Sequence, residues 1–100
     1  MKKESFGEYI RRLREKKDLP LRKVAAQLDI DTSTLSKVEL GIRPISIDYL
    51  KPLSQILEVH LKEVQVKFVA DTINKNYGQL EYYVDGLKEA ENQYLKSKRK

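Results

Sequence analysis

The chain has 100 residues, of which 40% are hydrophobic, and its 20 Lys and Arg against 15 Asp and Glu give a net charge of +5. This length suits one compact domain or a small domain with one added element, and the positive charge suits a polyanionic partner. The N-terminus carries no secretory signal, which argues against secretion, and no apolar run approaches the roughly 18 residues of a membrane helix, which argues against a membrane span. The sequence has no cysteine, which argues against disulfides and thiolate metal sites and favours the cytoplasm.

Apolar residues at helical spacing predict two short helices in the first thirty residues. The first covers residues 5–17, and its apolar positions are Phe6, Tyr9, Ile10 and Leu13. Ser5 and Glu8 fit a capping box at its start. Pro20 is acceptable at the first position of the second helix. The apolar positions of that helix are Leu21, Val24, Ala25 and Leu28.

A tight turn and a third helix follow. Asp29 and Ile30 form the turn, and Asp31 is a natural N-cap for a helix that runs through Leu40. Gly41 ends this helix, since glycine tolerates a left-handed cap. The second and third helices are therefore two short amphipathic helices joined by a tight turn.

The fourth helix begins near the cap candidate Ser46. Pro52 removes one backbone donor, so this helix is either kinked there or starts late, with Pro52 in its first turn. Its apolar positions are Leu50, Leu53, Ile56 and Leu57.

Two longer helices complete the chain. The fifth covers residues 60–76, where Val64, Val66 and Phe68 also alternate as in a strand, but the length favours a helix. The sixth follows the break at Gly78, and its apolar positions are Leu80, Tyr83, Val84, Leu87 and Tyr94. The predicted fold class is therefore all-α.

The outer face of the third helix has the layout of a DNA-reading surface. Leu35 and Val38 point towards the first two helices, and the opposite face carries Thr32, Ser33, Ser36, Lys37 and Leu40. The major groove admits one α-helix, in which lysine can donate to guanine and hydroxyl groups serve bases or phosphates. An ordinary solvated face is the alternative, but the preceding helix and turn argue for double-stranded DNA.

Two sets of residues are therefore expected to contact DNA. The base-reading residues are Thr32, Ser33, Ser36 and Lys37. The residues expected to contact the DNA backbone are Arg22, Lys23, Arg43 and Tyr49.

The stretch from Arg11 to Ser46 resembles the helix-turn-helix of the Xre/Cro/C1-type repressor family. The matching features are Leu19, Val24 followed by Ala25, Leu28, the Ser/Thr-rich start of the third helix, Leu35-Ser36, Glu39 and Gly41. The resemblance covers about residues 6–60 and implies a five-helix, lambda-repressor-like domain over residues 1–60. It also implies DNA operators and a homodimer. The family's recognition positions fall on Asp31, Thr32, Ser33, Ser36 and Lys37, and its core-facing pair falls on Arg14 and Glu39.

Three positions depart from the family pattern. Leu21 stands where a glutamine that touches DNA is common, and Asp29 stands where the turn often has glycine. Aspartate tolerates positive φ better than most residues do, so the turn survives at some cost. Pro52 interrupts the fourth helix, where the family usually has no proline.

Residues 61–100 lie outside the motif and are expected to be a C-terminal helical extension for dimerisation, since short regulators of this family often append helices for pairing. The expected function is that of a transcriptional regulator, of the repressor or restriction–modification controller type, which binds a palindromic operator as a homodimer. The alternative is an antitoxin-type module whose C-terminal helices bind a protein partner.

The residues do not predict an enzyme, and neither a cofactor nor a metal is expected. His60 is the only histidine and is expected to cap the end of the fourth helix rather than to catalyse, and no glycine-rich phosphate loop is present. RNA ranks below DNA as a partner, because Phe6, Tyr9 and Tyr49 have the spacing of buried residues rather than of a stacking platform.

Overall fold

A computed structural model of the protein describes residues 3–99; Met1, Lys2 and Lys100, which the two predicted domains include, lie outside it. Within that range the structure consists of six α-helices and one 3-10 helix, without strands, so the all-α prediction is confirmed. The α-helices are α1 (Phe6–Lys16), α2 (Leu21–Leu28), α3 (Thr32–Glu39), α4 (Leu50–Leu57), α5 (Leu61–Tyr77) and α6 (Tyr83–Lys98), with the 3-10 helix at Ile47–Tyr49.

Local chemistry explains where α1 and α2 begin. The capping box is confirmed, because Ser5 Oγ accepts a hydrogen bond from Glu8 N at 3.1 Å and the Glu8 carboxylate accepts one from Ser5 N at 2.9 Å. Pro20 differs from the prediction: it is the N-cap of α2, with an extended backbone, and not its first helical residue. Its carbonyl already accepts the first helical bonds, from Lys23 N and Val24 N, which is the role of an N-cap.

The turn between α2 and α3 depends on a left-handed residue. Asp29 has φ 58° and ψ 44°, and this conformation lets Ile30 N donate to Ala25 O at 3.0 Å. Asp31 is the N-cap of α3, as predicted, but its side chain makes no capping hydrogen bond. Gly41 follows α3 with φ +78°, which satisfies the expectation that glycine ends this helix.

The fourth helix starts late, which settles the ambiguity at Pro52. Ser46 caps the 3-10 helix by accepting from Asp48 N at 3.2 Å, and Pro52 lies in the first turn of α4, where a missing N–H costs no helical bond. His60 also differs from expectation, since it is the N-cap residue of α5 and does not cap α4. The reason is that Glu58, in a left-handed conformation, already ends α4 two residues earlier.

The hydrophobic core lies where α1 to α5 meet. Its largest fully buried side chains are Tyr9, Ile10, Val24, Leu35, Leu53 and Val64. Helix α5 shares this core, because Val64 is 1% exposed and Phe68 packs edge-on against Phe6 with ring centroids 5.2 Å apart. Tyr9 Oη also donates to the Glu63 carboxylate, and burial together with this hydrogen bond raises the pKa of Tyr9.

Helix α6 projects from this body. Among the described residues it contains none that is buried. Tyr83 Oη donates to Asn74 Oδ1 at 2.5 Å, which attaches the start of α6 to α5. The radius of gyration is 15.4 Å, against about 13 Å for a compact chain of this length. Nowhere between residues 3 and 99 does a helix combine the length and hydrophobicity that crossing a bilayer requires.

Candidate nucleic-acid interface

Helix α3 is held in place by its inner face. Leu35 is fully buried and Val38 is 4% exposed, and α3 packs against both α1 and α2. The hydrophobic contacts on these two helices fix the rotation of α3 about its own axis, and with it the set of side chains that face solvent.

The outer face of α3 carries the four residues predicted to read bases. Thr32, Ser33 and Lys37 are exposed, and Ser36 is half-buried. At 3.6 residues per turn the four lie within an arc of about 140°. Leu40, just beyond the helix, is 62% exposed on the same side. A helix presenting hydroxyl groups and one ammonium group over such an arc has the chemistry that major-groove readout needs.

An open cleft of about 600 Å³ runs beside α3. Arg43 and Tyr49, two of the residues predicted to contact the DNA backbone, line it together with Asp31 and Thr34 at the start of α3. Arg43 is exposed and Tyr49 is half-buried. The cleft brings a guanidinium group and a phenol beside α3, but none of the four residues predicted to read bases lines it.

The cations near α3 are exposed and free to meet an anion. Arg22 and Lys23 project from α2 and do not line the cleft. Within residues 3–99 no ion pair is found for the four cations predicted to contact DNA, which are Arg22, Lys23, Lys37 and Arg43. Their charges are not neutralised within the described chain, which favours binding to phosphates.

Arg14 and Glu39 form a partly buried ion pair between α1 and α3. Arg14 Nε and Nη2 donate to the two Glu39 carboxylate oxygens at 2.8 and 3.0 Å, and the side chains are 12% and 5% exposed. The hydrogen bond to Glu39 raises the pKa of Arg14, while burial opposes that shift. Arg14 Nη1 also donates to Leu19 O at 2.9 Å, so the pair fixes the α1–α2 connection as well.

Gly7 is a positioning residue that the sequence did not predict. It is buried in α1, where an added Cβ would lie 2.4 Å from the carbonyl oxygens of both Val38 and Glu39. The end of α3 therefore approaches α1 at a distance that only glycine permits. The signal available in the sequence was a glycine inside an otherwise helical segment, which often marks a close contact.

The described residues, 3–99, contain no cluster of His, Asp or Glu arranged to hold a metal ion.

Fold and site together define a DNA-binding protein built around a helix-turn-helix. Residues 10–64 match the helix-turn-helix family. Over 60 residues the chain is 38% identical to Control protein C.MunI of Mycoplasma sp, an alignment that covers 59% of this chain and 81% of the relative. No solved structure matches the chain. The chain belongs to the helix-turn-helix family of DNA-binding transcriptional regulators, so the resemblance to the Xre/Cro/C1-type family is confirmed.

Proposed function

We propose that this protein is a transcriptional regulator of the restriction–modification controller type that binds a palindromic operator as a homodimer. The observation that carries the proposal is the 38% identity to a control protein over 60 residues, which is four-fifths of that relative. The packing of α3 supports it, because a buried inner face leaves a polar outer face available to the major groove.

Base recognition is assigned to the outer face of α3. Lys37 is the strongest base-reading residue, since its exposed ammonium group can donate to guanine O6 and N7. Thr32 and Ser33 stand at the exposed start of the helix, and Ser36, which is half-buried, is suited to a base or phosphate close to the protein surface. Leu21 stands at the start of α2, where the Xre/Cro/C1-type family often has a glutamine that touches DNA. Leucine cannot make that polar contact, so the sequence specificity of DNA binding is assigned to α3.

Backbone contacts are assigned to residues on both sides of α3. Arg22 and Lys23 approach the DNA from α2, and Arg43 and Tyr49 approach from the cleft beside α3. Contacts to phosphates position the protein without reading sequence, and each releases counterions. Binding should therefore weaken steeply with salt.

Dimerisation is assigned to residues 61–100. On α5, Val66 and Val69 are 57% and 50% exposed and recur with Ile73 and Tyr77 at helical spacing, on the side opposite the core residue Val64. A second apolar face on a helix that already contributes to the core requires a partner for full burial. Two-fold operators require two copies, with half-sites about 34–36 Å apart.

The test is selection of bound duplexes from a random pool, followed by mapping of bound sites in the native host. We expect a two-fold repeat with half-sites one helical turn, or a multiple of it, apart, located upstream of a restriction–modification operon. Lys16→Ala, at an exposed lysine of α1, should select the same sequence. Recovery of no preferred sequence would refute DNA readout, and bound sites far from any such operon would refute the controller assignment.

An antitoxin-type module is the second candidate, and the exposed apolar residues of α5 and α6 favour it. Such residues can be covered by a different protein as readily as by a second copy. Affinity capture of the chain from its native host separates the two candidates. A stoichiometric protein partner supports the antitoxin, whereas recovery of the homodimer alone supports the controller.

A further inference from the structure

Helix α6 has the properties of a helix that is completed by a partner. It spans 16 residues, contains Gly86 and has no buried residue in the described structure. Isolated helices of about this length are marginal in water, and an internal glycine weakens them further. Apart from the hydrogen bond between Tyr83 and Asn74, the described chain therefore gives α6 little tertiary stabilisation.

One face of α6 is apolar and exposed. Val84 is 57% exposed, Leu87 37%, Tyr94 59% and Leu95 49%. These four side chains lie within an arc of about 100° on a helical wheel, which is the width of a face that packs against another element, and Glu91 and Lys98 lie in the same arc. The exposed face thus has the geometry of an unpartnered helix–helix contact.

Charge along α6 and the residues that flank it is divided between the two ends. The segment 81–91 carries one lysine, Lys88, and four acidic residues, Glu81, Asp85, Glu89 and Glu91. The segment 92–99 carries no acidic residue and three basic ones, Lys96, Lys98 and Arg99. The helix is therefore negative at its start and positive at its end.

We propose that two copies of this chain pair through their α6 helices in antiparallel orientation. A two-fold axis at right angles to the helix places the acidic end of each copy against the basic end of the other, and brings the two apolar faces together. Parallel pairing would oppose like charges at both ends. Helix α5 offers no comparable guide, since its charges alternate in sign from Lys62 to Lys75. The inference rests on the homodimer of the proposed function and specifies its contact.

The polarity of α6 has a competing explanation within one chain. Acidic residues at a helix start and basic residues at its end also suit the helix macrodipole. A useful experiment must therefore reverse the charges in a way that separates pairing from helix stability.

Three variants achieve this separation. The acidic-end variant carries Glu81→Lys, Glu89→Lys and Glu91→Lys; the basic-end variant carries Lys96→Glu, Lys98→Glu and Arg99→Glu; the swapped variant carries all six changes. Because α6 buries no residue, the variants should leave the core of α1 to α5 intact, which circular dichroism and urea unfolding can verify. Sedimentation equilibrium then gives the dimer dissociation constant of each.

Antiparallel pairing makes distinct predictions for the variants. Each single-end variant opposes like charges at both ends of the pair, so its dissociation constant should rise at least about tenfold at low salt, and near 1 M salt should reduce the difference. The swapped variant, whose charges suit the macrodipole least, should dimerise within about threefold of the natural chain.

The following results would overturn the proposal. Single-end variants that dimerise unchanged, a swapped variant that stays weak, or a natural chain that is monomeric at about 100 μM would each contradict antiparallel pairing. Selection of duplex DNA separates this failure from failure of the proposed function. A monomer that still selects one half-site retains the DNA-binding function, and a dimer that selects no sequence does not.

Discussion

Lys37 and Glu39 are two positions apart on α3, yet Lys37 is exposed to solvent whereas Glu39 is buried, with only 6% of its surface exposed. Two steps along an α-helix rotate a side chain by about 200°, so these residues point to opposite faces. One substitution at each position should therefore separate the proposed DNA reading from stability.

Lys37→Ala should relax specificity at one base position. Loss of a lysine contact to guanine should reduce discrimination there by about 1–3 kcal/mol. Binding to operators that each carry one changed base pair measures this effect. Lys23→Ala, at a predicted phosphate contact, is the matched control and should weaken all sequences alike while reducing the salt slope by about 1. If Lys37→Ala weakens binding to all operators equally, Lys37 contacts the DNA backbone and not a base.

Glu39→Ala should destabilise the fold and leave the outer face of α3 unchanged. It leaves the Arg14 guanidinium, 12% exposed, without its carboxylate, at a cost of about 3–5 kcal/mol in the free energy of unfolding. Urea unfolding measures the loss. Glu15→Ala removes the exposed Arg11–Glu15 pair and should cost no more than about 1 kcal/mol. Equal effects of the two substitutions would contradict the buried role of Glu39.

At the scale of elements, the α1–α3 contact depends on Gly7. Gly7→Ala places a methyl group against the carbonyl oxygens of Val38 and Glu39, so α1 and α3 must separate. We expect a loss of about 1–3 kcal/mol in stability, and weaker operator binding because α3 shifts. Gly86→Ala is the control, since nothing lies within 4 Å of its added Cβ, and it should raise the helicity of α6. An unchanged melting temperature for Gly7→Ala would argue against the close contact.

A substitution at Asp29 should stabilise the turn between α2 and α3. Asp29 adopts φ 58°, a conformation that costs a residue with a Cβ about 1–2 kcal/mol relative to glycine. Asp29→Gly should therefore stabilise the protein by up to about 1 kcal/mol, measured by urea unfolding. Asp29→Asn removes the same charge but keeps the Cβ, so its effect should be smaller. If both variants are equally stabilised, charge rather than backbone conformation is the cause.

At the scale of the whole molecule, α5 and α6 differ in their relation to the core. Truncation after residue 60 removes Val64 and Phe68 from the core, where each buried side chain contributes about 1.5–3 kcal/mol. Because the free energy of unfolding of a natural protein is typically only about 5–15 kcal/mol, this truncation should leave the chain largely unfolded. Truncation after residue 80 removes α6 but keeps the exposed apolar face of α5, so it should give a folded chain that dimerises much more weakly than the full chain.

Circular dichroism and sedimentation equilibrium on both truncated chains measure these outcomes. A cooperative, stable 1–60 chain would show that α5 is dispensable for the core. A 1–80 chain that dimerises as tightly as the full chain would place the dimer contact outside α6.

The sequence by itself predicted six helices and the polar outer face of α3. Caps and helical spacing act over a few residues, so the Ser5–Glu8 box, the Gly41 stop and the inward Leu35 and Val38 could be predicted without a partner element. The Arg14–Glu39 pair was expected from the family resemblance.

Only the tertiary structure decided how the elements approach one another. The Gly7 contact and the place of α5 in the core depend on residues distant in sequence. His60 looked like a cap for α4 until Glu58 was seen to end that helix. Helix α6 has helical periodicity like the others, but its exposure becomes visible only once the remaining helices have buried one another, because burial is a property of the packed molecule.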